Sequence, residues 1–183
     1  MVLCIDIDDT ICHMQQAAID LFNERYGTKY TLNDFNDYDV MNCMPVDHAV
    51  KMIEIYGERG FYNHVKPIKG AKEALQKLIN DGHQVYLVTN AIPGTYGEKV
   101  EFIKRYFPFI DKSHIIAMKH KYLLRADIMI EDCLQNLMAK HYYHRICFDQ
   151  PWNRQVKDWV YNIHRCNNWS NVLEVVNKIS ELE

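Results

Sequence analysis

Short apolar runs alternate with amphipathic stretches along most of the chain. Val2–Ile5, Gln84–Thr89, His114–Met118, Ile128–Ile130 and Arg145–Phe148 are rich in β-branched and aromatic residues with little polar alternation, which predicts strands buried on both faces. Between them the period lengthens. Ala71, Ala74, Leu75, Leu78 and Ile79 recur at helical spacing and stop at Gly82, while Val100, Ile103 and Phe107 stop at Pro108. Leu134, Leu137 and Met138 mark a shorter helix. A last one carries Val172, Leu173, Val176 and Ile179, with Ser170 as its expected N-cap, and a strand-like stretch precedes Trp169. Strand–helix–strand alternation with short links implies right-handed crossovers and an α/β fold with a parallel sheet.

The segment from Met14 to Lys66 breaks that rhythm. Ala17, Ala18, Leu21 and Phe22 form a helical stripe ending at Gly27, and Val50, Ile53 and Ile55 line a second ending at Gly57, with no strand between them. The organisation expected is an α/β core built from residues 1–13 and 67–183, with residues 14–66 inserted as a small helical cap over the sheet's edge.

Composition narrows the function. At 183 residues and 48% hydrophobic content the chain can bury one sizeable core. A net charge of -3 gives no basic field for wrapping a nucleic-acid polymer, although local positive groups suffice for one nucleotide. The six cysteines show no C-x-x-C spacing, the N-terminus does not read as a signal peptide, and no apolar run is long enough to span a bilayer. A reducing cytoplasm and no membrane partner are therefore expected. His141 and His144 stand three apart but are not read as metal ligands.

Chemistry concentrates where apolar runs end. Asp6, Asp8 and Asp9 follow the first strand at once, and Glu131 and Asp132 follow another. Carboxylates packed this closely repel one another and call for a cation or for full solvent. Taken alone, the first string is also compatible with an acidic turn. Two such strands, neighbours in a parallel sheet, bring four or five carboxylates to one crevice, where hard oxygen donors suit Mg²⁺. A third strand ends in Thr89-Asn90, a hydroxyl and an amide able to hold a phosphate oxygen.

These residues resemble a known set. Asp6-Ile7-Asp8-Asp9-Thr10 is similar to the first motif of haloacid dehalogenase-type phosphatases, Thr89 to the second, a lysine before the fourth strand to the third, and Glu131-Asp132 to the fourth. The resemblance implies a doubly wound, Rossmann-like core. It implies Asp6 as the nucleophile that becomes an aspartyl-phosphate, and Asp8 as the acid and then the base. Mg²⁺ would lie between Asp6, the backbone carbonyl of Asp8 and Asp132, with Glu131 as a further ligand or the holder of a metal-bound water. Lys121, in competition with Lys119, would balance the charge. Asp9 stands where many members have Gly, its side chain expected to point outward.

A narrower likeness is to the 5′(3′)-deoxyribonucleotidases. GFYNHVKPIKGAKEAL is similar to their G-F-F-x(n)-P-I-P-G-A segment, the run Tyr96-Gly97-Glu98-Lys99 to theirs after the second motif, and FDQPWNR to that of bacterial and phage relatives. It implies a nucleoside monophosphate as substrate, with Thr10, Asn90 and Lys119 toward the phosphate. Met14, where relatives carry an aromatic, would lie with Tyr38 and Val40 toward the base. Phe61 and Tyr62 read as packing residues of the cap, as do Cys4, Cys12, Cys133, Trp152, Trp159 and Trp169 elsewhere. Other readings stay open: a phosphatase for phosphoglycolate or a sugar phosphate, a phosphomutase, or a nucleotide-binding protein without catalysis.

Overall fold

In the computed structural model, residues 1–92, 94–138, 142–155 and 163–182 are described; His141 and Trp159 lie outside them. The strands are β1 (Val2–Ile5), β2 (Gln84–Thr89), β3 (Ile115–Ala117), β4 (Ala126–Glu131), β5 (Tyr142–Phe148) and β6 (Ile163–Cys166). They form one sheet in the order β3-β2-β1-β4-β5-β6, and every pairing is parallel. Parallel sheets are covered on both faces, and alternate residues here serve two separate cores. Leu3, Ile5, Ile128, Ile130 and Ile146 face one; Cys4, Val88, Met129 and Cys147 face the other. The expected strands are all present, with β4 and β5 extending further toward their N-terminal ends and β3 trimmed at both ends.

Helices α1 (Met14–Tyr26), α2 (Val46–Tyr56), α3 (Ala71–Asn80), α4 (Tyr96–Tyr106), α5 (Leu134–Leu137) and α6 (Trp169–Ser180) complete the chain. The first face of the sheet is covered by Leu75 and Leu78 of α3, Ile103 of α4, and Val172 and Val176 of α6, all fully buried. Truncating such buried leucines costs on the order of 2–5 kcal/mol. Leu137 of α5 packs on the second face. Gly70 opens α3 at φ +82, a conformation side chains rarely adopt, with Trp169 3.6 Å from where a Cβ would stand.

Two helix readings need correction. The side-chain cap of α6 is Asn168, which accepts from the Asn171 amide, because the helix begins a residue before Ser170. On α2 the buried residues are Ala49, Met52 and Ile55, while Val50 and Ile53 are exposed. That helix carries apolar residues on two faces, so periodicity alone does not choose the inner one.

The helical segment leaves and rejoins the core at one point. Outgoing Ile11–His13 runs beside returning Lys66–Ile68, joined by His13 N–H to Lys66 O (2.8 Å) and Ile68 N–H to Ile11 O (2.9 Å). Beyond this neck α1 packs on α2 around Phe22, whose ring meets Tyr26, Tyr30 and His48. Among the described residues no helix is long and apolar enough to cross a membrane.

Candidate active site

β1 and β4 are neighbours whose onward connections run to opposite sides, to β2 and to β5, which opens a crevice at their C-terminal ends. Ile5 pairs with Ile130, and Asp6 N–H donates to Ile130 O at 2.9 Å, which carries the acids of both strands to the same edge. One carboxylate oxygen from each of Asp6, Glu131 and Asp132 lies within 4.8 Å of the others, and all three residues are buried. The Lys121 ammonium bonds Asp6 Oδ1 and, at 2.6 Å, Glu131 Oε2. Burial alone lowers the Lys121 pKa, but Asp6 and Glu131 outweigh it and hold the ammonium above its ordinary range.

One ammonium does not balance three carboxylates. Burial and then Glu131 push Asp6 up to about 7 despite Lys121, and burial with Glu131 and Asp6 pushes Asp132 well above its ordinary value. A buried cluster of hard oxygens with surplus negative charge fits a small divalent cation. Lys119, the rival of Lys121, is exposed at the cavity rim.

Asp8 stands beside this cluster and faces a different set. Its Oδ2 accepts from Lys99 Nζ at 2.5 Å and its Oδ1 from the Tyr62 hydroxyl at 2.6 Å. Lys99 is itself buried and donates also to Thr89 Oγ1 (2.6 Å) and Asn90 O (2.9 Å). Thr89 is fully buried behind Lys99, whereas Asn90 is exposed and lines the cavity. Sequence reasoning gave Lys99 no role; its only signal was membership of the Tyr96–Lys99 run.

The first motif's other polar residues turn inward. Asp9 does not point outward: at φ +53 its carboxylate is buried and accepts from Gln15 N–H through both oxygens (3.0 and 3.1 Å), capping α1 from outside the helix. Thr10 is fully buried, its carbonyl taken by Trp169 Nε1 at 3.0 Å, and it does not line the cavity. The turn at Asp9 ties its carboxylate to the first turn of α1, beside the cavity that Asp6 and Asp8 line.

The loop after β5 grips both acid strings. Gln150 Nε2 donates to Asp9 O (2.7 Å), Trp152 Nε1 to Asp132 Oδ2 (2.8 Å) and Asn153 Nδ2 to Asp132 O (2.9 Å). Trp152 is thus more than a packing residue, and Trp169 is both, packing on Phe148 while bonding Thr10.

Above these groups is a cavity of about 490 Å³. Its floor is charged, with Asp6, Asp8, Lys99, Lys121 and Asp132. Its walls carry Met14, Phe35, Tyr38, Val40 and Ile53 from the helical segment and Ile92 from the loop after β2. Met14, Tyr38, Val40, Asn90 and Lys119 therefore share one space with Asp6 and Asp8. Phe61 and Tyr62 are buried packing residues that also line it.

Fold and site define a haloacid dehalogenase-like hydrolase. Solved structures with this fold include a haloacid dehalogenase-like hydrolase from Streptococcus pneumoniae (TM-score 0.65, 11% identity, 96% of this chain and 97% of that one). Another is a hydrolase of the same type from Deinococcus radiodurans with bound phosphate and sodium (0.63, 12%, 97% and 95%). The chain belongs to the family described as 5′ nucleotidase, deoxy (pyrimidine), cytosolic type C protein, whose model matches residues 1–181. It is 31% identical over 173 residues to the 5′(3′)-deoxyribonucleotidase of Bacillus subtilis, covering 93% of this chain and 95% of that one. It is 26% identical over 177 residues to a putative 5′(3′)-deoxyribonucleotidase of Staphylococcus epidermidis (89% and 97%). The protein is a phosphoric monoester hydrolase of this superfamily, similar to the 5′(3′)-deoxyribonucleotidases.

Proposed function

We propose that the chain is a Mg²⁺-dependent phosphomonoesterase that dephosphorylates deoxyribonucleoside monophosphates through an aspartyl-phosphate on Asp6. The observation that carries this is Asp6 itself. It is buried at the floor of a cavity, bonded to Lys121, with Glu131 and Asp132 within 4.8 Å and Asp8 two residues on. Asp6, Asp132, the backbone carbonyl of Asp8 and, directly or through water, Glu131 would hold the cation. When bound it supplies positive charge that lets a carboxylate approach a phosphate dianion.

The residues then divide the work. Asp6 attacks phosphorus, and Asp8 gives a proton to the leaving oxygen and later takes one from water. Lys99 and Lys121 bracket the phosphate, with Thr89 orienting Lys99 from behind and Asn90 offering its amide at the edge. Residues 14–66 act as a cap whose apolar wall (Met14, Phe35, Tyr38, Val40, Ile53) suits a flat base better than a glycolate or a sugar's hydroxyls. No disulfide joins the cysteines among the described residues, which suits a reducing cytoplasm.

A panel of esters with Mg²⁺ tests the reading. Deoxyribonucleoside 5′- or 3′-monophosphates should exceed p-nitrophenyl phosphate in kcat/KM by roughly 10-fold or more, since remote binding energy is drawn on at the transition state. Nucleotides no better than the aryl ester, or phosphoglycolate or hexose phosphates above both, would overturn it.

Trp152 should matter through the cation. Its indole N–H fixes one oxygen of Asp132, and loss of such an outer hydrogen bond typically weakens metal binding by roughly 10- to 100-fold. Trp152→Phe should therefore need correspondingly more Mg²⁺ for half-maximal rise in unfolding temperature. An unchanged titration would assign Trp152 to packing alone.

A further inference from the structure

Both oxygens of Asp8 are held by donors, and the two donors differ in kind. Lys99 Nζ approaches Oδ2 at 2.5 Å; the Tyr62 hydroxyl approaches Oδ1 at 2.6 Å, with Cys12 Sγ at 4.0 Å. An ammonium has N–H bonds and no lone pair, so it can only donate. A phenol can donate to a carboxylate or turn its hydroxyl and accept from a carboxylic acid. A group that is an acid in one half of a cycle and a base in the other needs a neighbour that serves both forms. Tyr62 is that neighbour.

Its placement is firm. The side chain is buried, edge-on to Phe61 (5.5 Å between centroids) and Phe102 (6.3 Å), and Lys99 Nζ lies 5.7 Å over its ring. Its backbone is fastened as well: Tyr62 N–H and Gly60 N–H both donate to the Glu98 carboxylate, at 3.3 and 2.7 Å. Glu98 and Lys99 are adjacent in the first turn of α4, so one anchors the backbone of Tyr62 while the other shares its carboxylate. The hydroxyl is also the atom by which Gly60-Phe61-Tyr62 departs from the G-F-F segment it resembles.

We infer that Tyr62 is a positioning residue for protonation of the leaving group, aligning the Asp8 carboxyl with the ester oxygen from the chain that returns from the helical segment. This rests on the acid–base role proposed for Asp8. In the step concerned an Asp6 oxygen forms a bond to phosphorus and the P–O ester bond breaks. Its electron pair stays on the ester oxygen, which takes the proton from Asp8 and leaves as an alcohol. Asp8, now a carboxylate, later receives a proton from the water that attacks the phosphorylated Asp6, and inorganic phosphate departs.

The test is leaving-group dependence. p-Nitrophenolate leaves without a proton, whereas a nucleoside alkoxide does not. Tyr62→Phe in the full chain with Mg²⁺ should lower kcat/KM for a deoxyribonucleoside monophosphate by about 10-fold, part of the roughly 10²–10⁴-fold that positioned proton transfer supplies. For p-nitrophenyl phosphate the loss should stay below about 2-fold. The ratio of the two, taken on one preparation, cancels any loss of folded enzyme. Equal losses on both esters, or none on either, would overturn the inference. In an Asp8→Asn background the same substitution should change the nucleotide rate no further; an independent additional loss would also overturn it. If wild type prefers the aryl ester to every nucleotide, the substrate reading fails by itself. The ratio is then measured with glycerol 2-phosphate, an alkyl ester, and decides the role of Tyr62 unchanged.

Discussion

Asp6→Asn should reduce phosphate release by roughly 10⁴-fold or more, the scale on which loss of a nucleophile acts. An amide cannot form the acyl phosphate, and the neighbouring carboxylates are already engaged: Glu131 by Lys121 and Asn136, Asp8 by Tyr62 and Lys99, and Asp132 by Trp152. The fold should not suffer. Three buried carboxylates face one ammonium, and the substitution removes a negative charge whose burial already pushes Asp6 up to about 7, while Lys121 keeps Glu131. At pH 8 without metal, the variant should unfold at the same temperature as wild type or a higher one. Turnover within tenfold of wild type would remove Asp6 as nucleophile. A markedly lower unfolding temperature would mean that the Lys121–Asp6 pair stabilises the core more than the like-charge cluster strains it.

Where charge sits along the chain decides what the sequence reveals and what it hides. An apolar run ending in carboxylates is a local pattern, so Asp6, Asp8, Glu131 and Asp132 are readable without a fold. Their meeting needs only β1 and β4 to be neighbours, as the sheet order makes them. Of the two candidate lysines, the resemblance to the family's third motif favours Lys121, and its ammonium is the one that reaches Asp6. Lys99 was not readable, because a lysine in a helix's first turn is ordinarily a solvated one. Its acceptors are Thr89, Asn90 and Asp8, which lie 10, 9 and 91 residues away and meet it only once the sheet forms. The orientation of Asp9 is hidden for a related reason. Whether its carboxylate turns out to solvent or in to α1 depends on a positive φ that no periodicity records. Thr10 follows from Asp9, since the same turn buries the hydroxyl and hands its carbonyl to Trp169. The apolar face of α2 that looks outward includes Ile53, which lines the cavity, so hydrophobic spacing there reflected the site as well as the core.

Cation binding should depend steeply on pH, and this is the other large effect. A carboxylate whose folded-state pKa is raised keeps a proton that the unfolded chain has already lost. Without metal, such a group therefore contributes less stability as pH rises from its unfolded value of 3.8 to about 7, and no further change above that. Asp132 moves in the same direction and adds to the loss. A cation must displace these protons to bind, and it removes the repulsion that the deprotonated cluster suffers. The rise in unfolding temperature on adding 10 mM Mg²⁺ should accordingly be small at pH 5 and several degrees at pH 8, following the logarithmic dependence of stability on ligand excess over Kd. Chelator should abolish phosphate release at pH 8, and Mg²⁺ should restore it. Activity that persists in chelator would contradict a metal-assisted attack by Asp6. An equal Mg²⁺-induced shift at both pH values would place the cation somewhere other than among Asp6, Glu131 and Asp132.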